Sequence, residues 1–400
     1  IYRVLRCKLN VYFRKMKLSS HWVLVSVLLL VLGTISIYNL FSHEISSKFS
    51  LMKSVAFSES MPIKSAVKSG DKYICTEDQA DRQGYYFAKK FWFDSSGCPK
   101  EEWIVEVHDL FPEVNGKVFV NIGANKGYLM LRLINLWAPW FDRLTPQNLF
   151  AELKRKSVPW AEGVCQEVID FPKPTVITKK NENWPRFIAV EMVRSTAELM
   201  KSNFERLQVD TERSLNIINA ALSNEDGNLF LSESVLLGEE ARSLRDLTRE
   251  NSDEGSTLVP VYTLNSFEKK YLKNNERIFM LFIDTEGNDG KVIASGLNTI
   301  KKHLPIVLMF EYHTMWKIES PGISLRNILD RLEPLGYECF MLGVSGFWRL
   351  TNCWSNYFEF YRWSNVACFH ESEPALQSVI RKYDRSPNYL TLVADAKEKV

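Results

Sequence analysis

From Lys117 onward, short apolar runs alternate with amphipathic stretches, and this rhythm restricts the possible folds more than anything else in the chain. VFVNIG, FIAVE, LNIINAAL, IFMLFID and PIVLMFE each read as a buried strand of about four to seven residues. Helical patterns lie between them. STAELMKSNFERL spaces its apolar residues by three and four, and SLRNILDRLEPLGY does so ahead of a glycine stop. Strands that are apolar throughout and separated by helices make a parallel sheet covered on both faces. The expected fold is a doubly wound α/β domain. Two stretches break the rhythm. Residues 139–185, rich in Pro, Trp and charge, are expected as an insertion after the first βα unit. Residues 232–256, strongly charged, are expected as a mobile loop between a hairpin strand, GNLFLS, and the strand TLVPVYTL. The aromatic segment GYYFAKKFWF, upstream, is expected to pack onto the main domain.

Residues 21–41, HWVLVSVLLLVLGTISIYNLF, carry no Lys, Arg, Asp or Glu. A bilayer core takes about 20 apolar residues in helical form, so a transmembrane helix is expected here. The stretch ends in Tyr38, Leu40 and Phe41 rather than the small residues of a cleavage site, which favours an uncleaved signal anchor. Arg3, Arg6, Lys8, Arg14, Lys15 and Lys17 precede it, against Lys48 and Lys53 soon after. Positive flanks stay cytoplasmic. The expectation is a single-pass type II membrane protein: a cytoplasmic tail (1–20), the anchor (21–41), a Ser- and Lys-rich stem (42–70) and a lumenal domain (71–400) in the Golgi or endoplasmic reticulum. The chain opens on Ile1 rather than Met, so its start is expected to lie upstream.

Cys75, Cys98, Cys165, Cys339, Cys353 and Cys368 lie beyond the anchor, an even set able to pair in an oxidising lumen. The local pairings, Cys75 with Cys98 and Cys353 with Cys368, are the ones expected. No pair has Cys-x-x-Cys spacing, so no metal held by cysteines is expected. A formal net charge of +2 gives no reason to expect a nucleic-acid partner.

In a doubly wound sheet, ligands bind at the carboxyl ends of the strands. Five such ends carry polar residues of useful kinds. After the first strand, Asn121, Gly123, Asn125 and Gly127 make a turn that lets backbone approach a ligand ahead of a helix N-terminus. Glu191 ends the second strand, where an acid commonly accepts ribose hydroxyls; a helix-capping Glu is the alternative. Asn219 and Ala220 follow the third, with room for a flat ring and an amide to pair with it. Asp284, Glu286 and Asp289 crowd the end of an apolar strand, and such carboxylates are costly unless a cation or a proton relieves them. Glu311 and His313 end the next strand, where alternation puts both on one face and makes His313 a candidate base.

Taken in order, VNIGANKGY, IAVE, NAALSNEDGNLFL, VPVYTLNSF, IDTEGNDGKVIASG and LPIVLMFEYH resemble the FkbM methyltransferase family, over Gly116 to Gly343. The resemblance implies a Rossmann-like class I methyltransferase domain that uses S-adenosylmethionine. It implies that Asn121, Gly123, Asn125 and Gly127 line the methionine and ribose end, and that Glu191 holds the ribose. Asn219 and Ala220 would lie near the adenine, with Asp284 and Glu286 facing the methyl group and acceptor. Together with the lumenal placement, it leads to an expected O-methylation of a sugar or glycan hydroxyl. Two other readings stay open: a type II glycosyltransferase with Asp284, Thr285 and Glu286 as its metal-binding acids, and a non-catalytic membrane-tethered binding protein of the same fold.

Overall fold

The apolar runs become strands because nothing in them offers a polar face to water. In β1 (Lys117–Ile122), Phe119 points one way and packs on Trp137 and Phe187, with ring centroids 4.8 and 5.0 Å away. Val118 and Val120 point the other way into a second core with Leu264 and Phe267. Alternation in a strand buried on both faces requires these two separate cores.

The computed structural model describes residues 73–89, 98–99, 101–165, 167, 172–180, 184–232, 237–239, 248–249, 256–344, 346–359 and 363–386. The expected tail, anchor and stem lie outside the described residues. No helix among those described is long and apolar enough to cross a membrane.

Among the described residues, two helices, α1 (Glu77–Lys89) and α2 (Trp103–Leu110), precede β1. Then come α3 (Tyr128–Trp137), α4 (Pro146–Arg155), β2 (Arg186–Glu191), α5 (Arg194–Arg206) and β3 (Leu215–Asn219). Four short strands come next: β4 (Ala221–Leu222), β5 (Gly227–Ser232), β6 (Thr248–Arg249) and β7 (Ser256–Tyr262). The chain continues through α6 (Leu264–Tyr271), β8 (Arg277–Ile283), α7 (Asp289–Ser295), α8 (Leu297–His303) and β9 (Val307–Tyr312). It finishes with α9 (Trp316–Glu319), α10 (Leu325–Leu332), β10 (Tyr337–Gly343), β11 (Gly346–Arg349), β12 (Ser364–His370) and α11 (Leu376–Tyr383).

The main sheet runs β11-β10-β12-β9-β8-β1-β2-β3. From β3 to β9 every pairing is parallel, while β12 inserts antiparallel between β9 and β10. This is an open, mostly parallel α/β sheet, and its strand order reverses between β1 and β8. The expected doubly wound core is present.

Several expectations need correction. LNIINAAL is not one strand: β3 stops at Asn219, and Ala221–Leu222 leaves to pair with β7 in a second sheet, β4-β7-β5-β6. The hairpin of GNLFLS with TLVPVYTL is present there as the antiparallel pair β5–β7. The antiparallel trio β10, β11 and β12 was not anticipated. GYYFAKKFWF does reach the domain: within α1, Phe87 is fully buried and packs on Trp348 and Phe358, centroids 5.8 and 5.9 Å apart.

The cysteine pairs differ from the local guesses. Cys75 pairs with Cys353, Cys98 with Cys165, and Cys339 with Cys368. The reason is tertiary. Cys339 and Cys368 are direct partners across β10 and β12, and the Cys75 N–H donates to Asn352 O at 3.0 Å, beside Cys353. The expected insertion carries α4 and folds back on the domain, with Tyr128 Oη donating to Ala161 O at 2.7 Å.

Candidate active site

Because the strand order reverses between β1 and β8, their carboxyl ends open a crevice. The Asp284 N–H donates to Ile122 O at 2.8 Å, and the N–H groups of Gly123 and Ala124 both donate to Val190 O at 2.9 Å. Gly123 is thereby pinned between the ends of β2 and β8 at φ +82°. A Cβ there would sit 1.6 Å from Asp284 O, so glycine is the residue that fits. Gly127, at φ +89°, enters α3 with no room for a Cβ against Phe204 and Met200. Above the crevice lies a cavity of about 730 Å³.

One end of the cavity is the glycine turn. Asn121, Gly123, Asn125 and Gly127 all line it, as do Glu191 and Ala220. Glu191 is 7% exposed. Its Oε2 accepts the Asn125 N–H and its Oε1 the Val193 N–H, both at 2.9 Å. Burial raises the Glu191 carboxyl above its ordinary value, against the lowering effect of those N–H groups. The buried carboxylate thereby ties the turn after β1 to the turn after β2, and it keeps lone pairs for further donors. Asn219 is not part of the cavity wall. Its amide donates to Glu191 O at 2.9 Å and Met192 O at 2.8 Å, so both its hydrogens hold the turn after β2 rather than face a ring.

The other end is acidic. β8 delivers Asp284, the turn after it Glu286, and β9 Glu311, with His313 just beyond it. Glu286 sits at φ +54° and Gly287 at φ +97°, a left-handed pair. Asp289, fully buried, holds this turn: its Oδ1 accepts from Thr285 N and its Oδ2 from Gly287 N, each at 3.1 Å. Desolvation pushes Asp289 up to about 6 even so.

Asp284 and Glu311 hydrogen-bond through their carboxyls, and Trp363 donates to Glu311. Burial pushes both acids well above the usual range. For Asp284 the charges of Glu311, Glu286 and Asp289 add to this, and for Glu311 those of Glu286 and Asp289 do. Asp284 is exposed where it lines the cavity, and the crowding with like charges sustains the upward direction. Alternation at the end of β9 brings Glu311 Oε2 within 3.1 Å of His313 Nε2. Neither atom has a hydrogen-bond partner, although Glu311 is 7% and His313 8% exposed.

Other wall residues escaped the sequence reading. Glu101 and Arg132 meet at 3.6 Å on the cavity wall, and desolvation raises Glu101 despite the guanidinium. A lone Arg in the apolar helix YLMLRLINLW was the available signal. Trp363 and Asn365, at the start of β12, carried none, because no apolar run ends there. Lys126, buried, donates to Gly238 O at 3.1 Å, and Asn125 Nδ2 to Glu239 O at 3.2 Å, so residues 237–239 reach over the turn.

The cavity fits a donor with an amino-acid end and a cationic centre. Its glycine cradle is closed to any Cβ, and Asn125 Oδ1 and Thr285 Oγ1 are buried in its wall without partners. Acids outnumber bases along the wall, which attracts positive charge.

In sequence, residues 163–339 match the family described as Methyltransferase FkbM domain. No protein of curated function matches the chain. Among solved structures, the chain is similar to the O-methyltransferase from Bacillus cereus in complex with SAH, at 11% identity over 74% of this chain and 92% of that one, with a TM-score of 0.31. It is similar to the O-methyltransferase TomG from Streptomyces achromogenes, solved with SAM, at 9% identity over 74% and 92%, TM-score 0.30. It is also similar to a precorrin-6y C5,15-methyltransferase from Geobacter metallireducens, at 10% identity over 69% and 93%, TM-score 0.29. Likenesses at these scores are too distant to bear on the chemistry.

Proposed function

From the premise that residues 163–339 carry an FkbM methyltransferase domain, with S-adenosylmethionine as cofactor, we propose that the chain O-methylates a sugar or glycan hydroxyl in the secretory pathway. The observation that carries this reading is the contact of Gly123 with the Asp284 carbonyl. It brings a cradle for the donor and a cluster of acids for the acceptor onto one wall of one cavity.

Bound there, the cofactor supplies a methyl group on a positively charged sulfur. Asn121, Gly123, Asn125 and Gly127 would hold its methionine and ribose end, Glu191 would accept ribose hydroxyls, and Ala220 leaves room beside the adenine. The acceptor's neighbouring hydroxyls would donate to Asp284 and Glu286, which accept hydrogen bonds and so suit a polyhydroxylated molecule. Trp363 offers an aromatic face nearby. An alcohol near neutral pH is a poor nucleophile, and its proton must leave to a group within reach. Asp284, Glu311 and His313 are those groups. Holding oxygen and methyl carbon in line accounts for most of the expected acceleration.

The secretory-pathway part is supported by three disulfides, which persist in oxidising compartments, and by the basic flank ahead of residues 21–41. A nucleotide sugar fits less well, since it leaves the glycine cradle at Gly123 and Gly127 without a task.

The test is calorimetric titration of the full chain with S-adenosylmethionine and S-adenosylhomocysteine, and then transfer of labelled methyl to sugars and glycans. Micromolar binding that Gly123→Ala abolishes, with label on a hydroxyl oxygen, is the expected result. A folded chain that binds neither compound sinks the methyltransferase reading. Binding with label found only on nitrogen sinks the O-methylation reading.

A further inference from the structure

The acidic end of the cavity holds a buried carboxylate and imidazole at ion-pair distance whose facing atoms make no hydrogen bond. Glu311 Oε2 and His313 Nε2 lie 3.1 Å apart, and neither has a hydrogen-bond partner. Both side chains are nine-tenths buried and both line the cavity. Such a pair is costly unless something positive satisfies it. A third donor is at hand. Among the described residues, Glu286, Glu311 and His313 each offer a ligand atom, all within 4.8 Å of one another.

We propose that Glu286, Glu311 and His313 form a divalent-cation site at the acceptor end of the cavity. Octahedral ligation at about 2.1 Å sets neighbouring ligand atoms about 3 Å apart, the spacing that Glu311 and His313 already have. Glu286 completes the set from the partly exposed turn after β8. Two carboxylates and one imidazole are an oxygen-rich set suited to Mn²⁺ rather than to a closed zinc site. Three protein ligands leave positions open for the acceptor's hydroxyl oxygen. The ion would orient that oxygen and ease loss of its proton, with Asp284, hydrogen-bonded to Glu311, as the neighbouring acceptor. This use of the ion rests on the methyltransferase reading; its binding does not.

The experiment is titration of the chelator-treated full chain with Mn²⁺, read by electron paramagnetic resonance, with S-adenosylmethionine affinity measured in parallel as the readout of folding. One Mn²⁺ per chain is expected, weakened by about tenfold or more in Glu311→Gln and in His313→Gln, with cofactor affinity retained. Glu286→Gln, on the open turn, supplies a variant with little risk to the core. A chain that binds S-adenosylmethionine but takes up no Mn²⁺, Mg²⁺ or Zn²⁺ overturns the site and leaves the methyltransferase reading standing. Uptake unchanged in all three variants overturns it as well. Uptake that depends on the three residues in a chain without cofactor affinity upholds the site and sinks the methyltransferase reading instead.

Discussion

Glu191 has two tasks on one carboxylate, and its pH behaviour separates them. Its oxygens accept the Asn125 and Val193 N–H groups, while burial raises its pKa above the ordinary 4.5. For an acid raised in the folded state, the associated stability is present below 4.5 and lost as pH rises through the raised value. Ribose hydroxyls donate to the charged form, so cofactor affinity should move the opposite way and tighten as pH rises through that window. Glu191→Gln should flatten this pH dependence and cost about 1–2 kcal/mol of binding at neutral pH, as read by calorimetry at several pH values. An unchanged slope would mean that Glu191 only caps the turn. Glu286 poses the reverse test. At φ +54° it occupies backbone that glycine tolerates better, at a strain of about 1–2 kcal/mol. Glu286→Gly should leave the melting temperature equal or higher while turnover falls, and a large loss of stability would refute a strained functional turn. The crowding of acids after IFMLFID was legible because charge clustered at a strand end is rare. The left-handed turn was not, since only Gly287 announces it. The direction of the Asn219 amide was also hidden, being decided by carbonyls at Glu191 and Met192, distant in sequence.

Most strands of the parallel half were readable because an unbroken apolar run fills their middle, as in Val118–Val120, Phe187–Val190, Ile278–Ile283 and Val307–Phe310. β10 and β12 hold similar apolar runs, Cys339–Leu342 and Val366–Phe369, yet their antiparallel insertion beside β9 depends on a topology that no local pattern encodes. The disulfides conform to that topology. Cys339–Cys368 joins neighbouring strands, and Cys75–Cys353 spans 278 residues to tie the start of α1 to the turn after β11. α1 otherwise depends on aromatic packing of Phe87 and on Gln83, whose Nε2 donates to Arg349 O at 2.9 Å and Cys353 O at 3.1 Å. Cys353→Ser should therefore cost about 2–5 kcal/mol and make α1 the first site of proteolytic cutting, measured by thermal unfolding and limited proteolysis. If cutting begins elsewhere, the disulfide does not anchor that element. Cys98–Cys165 acts at another place. It joins the segment ahead of α2 to the insertion, and both cysteines lie on the cavity wall. Reduction of that bond should loosen cofactor binding more than it lowers overall stability.

At the scale of the whole molecule, the three disulfides and the uncharged stretch at residues 21–41 make a joint demand. On the proposed secretory placement, the disulfides would persist in an oxidising compartment and the basic flank ahead of one apolar segment would deliver the downstream chain there. Neither observation alone suffices. A cleaved leader would export the same domain, and cysteines can pair after lysis. Protease added to sealed microsomes that carry the full chain discriminates between these outcomes. The expected result is that residues beyond the anchor survive, that only the basic tail is trimmed, and that detergent exposes the rest. Alkylation in the intact vesicles should find the six paired cysteines blocked until a reductant is added. Digestion of the whole chain without detergent would place the domain in the cytoplasm, where glutathione keeps thiols reduced. The acceptor would then have to be sought among cytosolic hydroxyl compounds rather than glycans. Survival of a domain that has lost its first 41 residues would instead identify a cleaved leader, and the glycan reading would stand for a soluble lumenal enzyme.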